Sequence, residues 1–416
     1  MKIHTTRISV DKQGRLTLPP ELIKKLGLIP GAVVRIEEHS NSLNIGHSTT
    51  SLAKVYIEPT NTCNLDCRTC MRNVWEEEPG FMSGQTFSRL LDDAGKVDPA
   101  PSLFFGGFGE PLAHPDILDM VGEAKDRGFE VELITNGILL TEPVIDKFIQ
   151  FRLDRIWVSI DGATPQSYTD IRLGDELPHV LNNLTRLHEK KIWAGKSRPR
   201  LGIAFVAMKR NIADLPEVIK IGKRFHADQF SISNVYPHTL ELKEQILYSR
   251  SLSDGDLQPS PWVPTISLPR MDFNTLTSEQ LLTMMRGYTL LNIAGQTLKL
   301  GVNTCPFIMK GSTSIRWDGE VSPCLPLMHS HESYLDTNLR KTHSVTYGNV
   351  NNRSLMDIWN NPEYLALRER LQEFDFSPCT FCNSCEMAES NEGDCFGNIR
   401  PACGGCLWAQ GFIQCP

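Results

Sequence analysis

A chain of 416 residues is too long for one compact core, and at roughly 100–200 residues per domain it divides into two or three units, here read as three. Its 40% hydrophobic and 22% charged residues exclude a disordered or fibrous protein, and a formal charge of -7 excludes whole-molecule attraction to nucleic acid or an acidic membrane. No run of about 18 apolar residues marks a membrane span, and the amino terminus has no apolar signal stretch, so the expectation is a cytoplasmic protein. Twelve cysteines in that reducing compartment are poor disulfide candidates. They gather at 63–70, at 305 and 324, and between 379 and 415, as metal-binding cysteines do.

In chain order, residues 1–48 read as a small β-rich unit. Strand-like alternation at Arg7–Val10 and Leu16–Leu18 precedes a Pro-Pro step and an amphipathic helix over Glu21–Leu28, and a second hairpin runs from Val33 to Ile45. About 45 residues bury too little apolar surface to stand alone, which predicts pairing with a second copy or docking on the neighbouring domain. The polar stretch His47–Ser51 reads as a linker.

Over 52–235 apolar strand candidates alternate with helical segments. The strands are KVYIEP, SLFFGG, EVELITNG, RIWVSIDG, RLGIAFVAM and QFSISNV; helices are predicted at Phe87–Lys96, Pro115–Arg127, Glu142–Phe151, Pro178–Lys190 and Ala213–Phe225. Six strands alternating with five helices demand a parallel sheet, either open and doubly wound or a barrel of fewer than eight strands. Ligand sites then gather at the carboxyl ends of the strands, where the polar and glycine residues of each unit stand. Residues 236–300 carry no ligand cluster, and Pro259, Pro261, Pro264 and Pro269 mark them as an irregular linker or cover. Residues 301–416 hold nine cysteines and read as a domain organised by metal clusters more than by an apolar core.

The string CNLDCRTC sets Cys63, Cys67 and Cys70 on a loop directly after the first barrel strand. Three thiolates can hold three irons of a [4Fe–4S] cluster and leave the fourth iron open, whereas structural zinc wants four ligands and finds no local fourth. The second strand ends in GGFGEP, whose glycines let the backbone approach a ligand while Glu110 can accept from an ammonium. Asn136 closes the third strand, and Ser159 and Asp161 the fourth; Asp161 serves equally well as a helix cap.

These motifs resemble the radical SAM superfamily over residues 54–235. The resemblance implies a partial (β/α)6 TIM-type barrel, an α/β fold. It further implies that the amino and carboxylate groups of S-adenosylmethionine (SAM) chelate the open iron, and that an electron from the cluster splits the sulfonium to a hydrogen-abstracting 5′-deoxyadenosyl radical. By the same carry-over Gly107 and Glu110 meet the SAM amino group, Asn136, Ser159 and Asp161 its ribose side, and Arg172 the ribose or carboxylate. Thr69 departs from the aromatic residue that many members have before the last cysteine.

The carboxyl-terminal third is similar to a SPASM-type auxiliary-cluster domain. Cys305 and a Gly319-x4-Cys324 hairpin match that pattern, and Cys379, Cys382, Cys385, Cys395, Cys403, Cys406 and Cys415 form an altered knuckle. Nine thiols suffice for one or two auxiliary [4Fe–4S] clusters with one cysteine spare, and a zinc ribbon is the competing reading. Residues 1–48, through VDKQGRLTLPPELIKKLGLIPGAVVRI, resemble the AbrB/SpoVT/MazE swapped-hairpin module, which implies a homodimer. Arg7, Lys12, Arg15, Lys24 and Lys25 would face DNA phosphates in such a module, with dimerisation or substrate docking an equally motivated role.

The whole order most resembles the radical SAM maturases associated with tungsten cofactor oxidoreductases. This implies as substrate a tungsten cofactor or its host oxidoreductase, and an electron donor such as ferredoxin or flavodoxin. A peptide-modifying maturase is the alternative. A sulfatase-maturase variant is disfavoured by Leu325, which stands where those enzymes carry an acidic residue. A redox-sensing DNA-binding regulator is opposed by Glu110, Ser159 and the intact three-cysteine loop.

Overall fold

The computed structural model describes residues 8–28, 34–39, 42–75, 77–249, 252, 265–268, 274–280, 290–293, 296–298, 303–380, 382 and 385–416. At the amino terminus the helix Pro20–Leu26 ends on Gly27 in the left-handed region, and β1 (Val34–His39) pairs antiparallel with β2 (Ser42–Ser48). The two strands expected before the helix reduce, among the described residues, to one bridge between Val10 and Leu16. Arg7 lies outside the described residues.

Six parallel strands follow in sequence order: β3 (Lys54–Ile57), β4 (Ser102–Phe105), β5 (Val131–Thr135), β6 (Arg155–Ser159), β7 (Arg200–Ala207) and β8 (Gln229–Asn234). Each falls inside its predicted segment. Side chains alternate across the sheet as the period of two requires. Val55, Ile57, Leu103, Phe105, Ile156 and Val158 join the core shared with the helices, while Tyr56, Phe104 and Trp157 belong to a second core on the other face. The returning helices are Gly84–Ala94, Ile117–Asp126, Glu142–Phe151, Leu177–Trp193 and Leu215–Arg224, and each buries an apolar stripe on the outer face of the sheet. An unpredicted helix, Pro165–Arg172, is started by Thr164, which accepts from the Ser167 N–H while Ser167 bonds back. Only Tyr168 and Ile171 are buried on it, too few to announce a helical period.

Residues 236–300 are more regular than expected: β9 (Thr265–Leu268), β10 (Leu290–Ile293) and β11 (Gln296–Leu298) make a three-stranded sheet. The four prolines named above lie outside the described residues. The cysteine-rich region is not a separate body. Its strand β12 (Ser312–Ile315) pairs parallel with β3 and carries β13 (Val321–Ser322) antiparallel, giving the order β13-β12-β3-β4-β5-β6-β7-β8. A second hairpin, β14 (His331–Leu335) with β15 (Asn338–Thr342), follows.

The His47–Ser51 stretch read as a linker is a packed seam instead. Ser48 and Thr49 are buried, and the carbonyls of His47, Thr49 and Thr50 accept from Gln372, Arg368 and Trp359 of the carboxyl-terminal helices. Polar side chains suggested exposure, but the backbone groups find donors from more than 300 residues away. No helix of the described residues is long and apolar enough to cross a membrane.

Candidate active site

The loop leaving β3 carries Cys63, Cys67 and Cys70 at the carboxyl end of the barrel. It is pinned to the helix Pro165–Arg172 by the Arg68 N–H, which donates to the Ile171 carbonyl (2.9 Å), and by Arg68 Nε, which donates to the Asp170 carbonyl (2.9 Å). Each thiol faces a different N–H donor: Asn136 Nδ2 lies 3.9 Å from Cys63 Sγ, Arg172 Nη1 3.7 Å from Cys67 Sγ, and Arg72 Nε 3.3 Å from Cys70 Sγ. Burial pushes the Cys63 and Cys67 thiols up, against the pull of Arg72 and Arg172. One buried and two half-buried cysteines, ringed by N–H donors and two guanidiniums, suit an anionic iron–sulfur group.

GGFGEP packs directly on this loop. Gly107 has φ +98° and a Cβ there would sit 2.7 Å from Glu58 Cγ; at Gly109 it would sit 2.0 Å from the Thr60 carbonyl oxygen, so only glycine permits the approach. The Glu110 N–H then donates to the Thr62 carbonyl (2.8 Å). The Glu110 carboxylate is buried and accepts from the N–H groups of Leu112 (3.0 Å) and Asn136 (2.7 Å). Burial pushes its pKa up while those N–H bonds hold it back. Asn136 in turn donates to Asn64 Oδ1 (2.8 Å), inside the cysteine loop. Glu110 and Asn136 therefore tie the ends of β4 and β5 to the three thiols.

Ser159 is half-buried at the end of β6. Asp161 does not cap a helix: Oδ1 accepts from the Val206 N–H (2.7 Å), and Oδ2 lies 2.5 Å from Arg172 Nη2. Burial works against the Arg172 charge, yet Asp161 and the Cys67 sulfur outweigh it and raise its pKa. The pair thus holds a fixed cation against the cysteine loop.

One cluster escaped the sequence reading. His329 is fully buried, with Nε2 2.9 Å from Glu58 and Nδ1 2.7 Å from Glu77. Its ring centroid lies 4.2 Å from that of Trp75 and 5.7 Å from that of Phe108, and the Phe108 N–H donates to Glu58 (3.1 Å). The position of Glu58, directly after a barrel strand at the ligand end, was the available signal.

In the carboxyl-terminal region Cys305, Cys324, Cys403 and Cys406 line one largely apolar cavity together with Tyr236, Leu327 and Trp408. Cys379, with its Sγ 3.0 Å from Ser377 Oγ, is a neighbour of Cys395, and Cys382 and Cys395 are exposed. Cys385 is half-buried at the start of a 3-10 turn. Cys415 accepts from the indole N–H of Trp408 (3.4 Å), itself a residue of that cavity, and feels the charge of Cys406. The tail that bears it runs beside β8, where Asn234 donates to the Phe412 carbonyl, and Tyr56 donates to Pro416 inside the barrel.

Family comparison agrees with this geometry. Residues 57–220 match the radical SAM superfamily model, and residues 305–386 match the SPASM iron–sulfur cluster-binding domain. The chain is 31% identical over 370 residues to the tungsten-containing aldehyde ferredoxin oxidoreductase cofactor-modifying protein of Pyrococcus furiosus, covering 87% of this chain and 96% of that protein. It is 25% identical over 348 residues to the PqqA peptide cyclase of Gluconobacter oxydans, covering 81% and 84% respectively. The fold is that of Streptococcus suis SuiB bound to its precursor peptide SuiA, at a TM-score of 0.51 and 17% identity over 83% of this chain and 72% of that one. A radical SAM domain with a SPASM domain uses SAM, a [4Fe–4S] cluster and auxiliary clusters. The donor-ringed thiols after β3 and the four-cysteine cavity fit such groups. This chain accordingly belongs to the radical SAM superfamily, as a SPASM-bearing enzyme of the family of the tungsten-containing aldehyde ferredoxin oxidoreductase cofactor-modifying protein.

Proposed function

We propose that the protein is a maturase that cleaves SAM reductively and uses the resulting radical to modify a tungsten cofactor or the oxidoreductase that receives it. The observation that carries this reading is the similarity to the Pyrococcus furiosus protein across nearly its whole length. In this reading Cys63, Cys67 and Cys70 hold the cluster that supplies the electron for sulfonium cleavage. Gly107, Glu110, Asn136, Ser159, Asp161 and Arg172 form the SAM cradle. Glu110 and Asn136 hold the strand ends in register, and Arg172 supplies a cation beside Cys67. Residues 1–48, 52–235 and 301–416 are the three functional units, with 236–300 covering the core.

For the auxiliary clusters, Cys305, Cys324, Cys403 and Cys406 form one ligand set, supported by their shared cavity. Cys379, Cys382, Cys385 and Cys395 form the second, and Cys415 is the spare thiol. Ferredoxin or flavodoxin donates electrons. The amino-terminal unit pairs two chains in the AbrB manner, a role favoured over DNA binding by its exposed Val10, Leu16, Ile36 and Leu43. The enzyme works in the cytoplasm.

A second reading, modification of a peptide, is favoured by the similarity to PqqA peptide cyclase. Anaerobically reconstituted protein should release 5′-deoxyadenosine from SAM, and replacement of Cys63, Cys67 and Cys70 by alanine should abolish this. Supplying the apo-oxidoreductase, its tungsten cofactor or a short precursor peptide, with mass spectrometry of each, separates the two readings. Modification of the peptide alone would overturn the tungsten assignment.

A further inference from the structure

Arg340, on β15, is 5% exposed. Its guanidinium donates through Nη1 to the Ala388 carbonyl and through Nη2 to the Ala402 carbonyl (3.4 Å). Ala388 follows Cys385 and Ala402 precedes Cys403, so the side chain stitches the two cysteine segments together. It also lies on the turn between Cys403 and Cys406: a Cβ on Gly405 would sit 2.8 Å from Arg340 Cζ. Gly404 in the same turn contacts the other segment, with its carbonyl accepting from Thr380 Oγ1 (2.7 Å), next to Cys379. Arg340 further lines the cavity that holds Cys305, Cys324, Cys403 and Cys406.

Among the described residues Arg340 forms no ion pair with a carboxylate; its recorded partners are neutral carbonyls. A guanidinium so deeply buried costs several kcal/mol unless an anion offsets it. The other deeply buried arginines offset their charge in two ways: Arg155 pairs with Asp228 and Glu132 and Arg172 with Asp161, while Arg368 stacks on the rings of Trp359 and Tyr364. Burial pulls the Arg340 guanidinium below its usual range, and the ionisable groups that offset this are the thiol of Cys379, the Tyr236 hydroxyl and the thiols of Cys406 and Cys403. The guanidinium rests on the Cys403–Cys406 turn at Gly405 and on the carbonyl of Ala388, three residues past Cys385.

We infer that Arg340 is the shared counter-cation of the two auxiliary clusters and sets their reduction potentials. The inference rests on the reading of these cysteines as cluster ligands. Four thiolates give a cubane a net negative charge that grows on reduction, so a fixed positive charge beside it favours the reduced form. Placed between both sets, one side chain raises both potentials together and makes electron transfer between them less sensitive to the charge on either.

The test is an electron paramagnetic resonance redox titration of the full-length protein carrying alanine at 63, 67 and 70, so that only auxiliary clusters contribute. Arg340→Met should shift both auxiliary midpoint potentials to more negative values at unchanged iron and sulfide content, and Arg340→Lys should restore most of the shift. Unchanged potentials in an Arg340→Met protein with full iron would overturn the inference. If Arg340→Met loses iron and Arg340→Lys keeps it, the charge requirement is upheld. If both lose it, the side chain is only a hydrogen-bonded stitch, and the inference fails. A parent protein with stoichiometric zinc and negligible iron would overturn the ligand reading itself, and this inference with it.

Discussion

His329 and Glu58 lie 271 residues apart in the chain and 2.9 Å apart in the fold. Burial alone would lower the histidine pKa, but the carboxylates of Glu58 and then Glu77 reverse the sign and push it up to about 9. The folded value thus lies above the unfolded value of roughly 6.5, so the stabilisation is complete below about pH 6.5 and is lost as pH rises through about 9. A shift of that size corresponds to on the order of 3 kcal/mol. Thermal unfolding of the anaerobic holoprotein should therefore fall more steeply between pH 6.5 and 9.5 than that of His329→Gln. Equal slopes for the two proteins would show that the ring carries no extra proton. The same residue was invisible beforehand because a lone histidine has no pattern. Glu110, by contrast, stood inside the GGFGEP motif, and Arg172 was singled out only by the family resemblance; its pairing with Asp161 came from the fold.

At the scale of elements, the first five barrel strands were legible as short apolar runs, and the polar breaks between them are long enough to hold a crossover helix. The sixth, β8, exposed or half-buried along its length, showed only through the alternation of Phe230 and Ile232. The hairpin of β12 and β13 was legible as a cysteine motif but not as part of the barrel sheet. Strand pairing across more than 250 residues leaves no local trace, and Ser312–Ile315 is too polar to read as a buried strand, although all four residues are buried. Cys305 caps the short helix Pro306–Met309 that leads into β12, and Cys324 follows β13 after Pro323, so the hairpin brings both to the cavity that Cys403 and Cys406 also line. Fully loaded protein should contain about 12 irons per chain, counting four per cubane. Cys305→Ala should lower this to about 8, and Cys403→Ala should do the same, because both would empty one site. Cys415→Ser should leave iron unchanged. An iron loss in Cys415→Ser matching that of Cys305→Ala would move Cys415 into the ligand set.

At the scale of the whole molecule, the amino-terminal unit is exposed on its apolar side yet fastened at its exit. Val10, Leu16, Ile36 and Leu43 are each more than half exposed, while Ser48 and Thr49 are buried against the carboxyl-terminal helices. A truncation after residue 46 should remove the pairing surface and leave that seam intact, converting a dimer to a monomer with SAM cleavage retained. Light scattering coupled to size exclusion reads the mass, and a monomeric full-length protein would sink the pairing role. Sequence by itself determined the parallel barrel core, the cysteine-rich region that follows it and the three-cysteine loop, since each depends on neighbours within a few residues: a strand period, a ligand spacing, a glycine turn. Only the tertiary structure decided which distant groups share a site. It joined Glu58 and Glu77 to His329, four cysteines from two segments to one cavity, and Arg340 to both cysteine groups. Burial makes those contacts strong by removing water, and burial is a property of the folded chain rather than of any stretch of it.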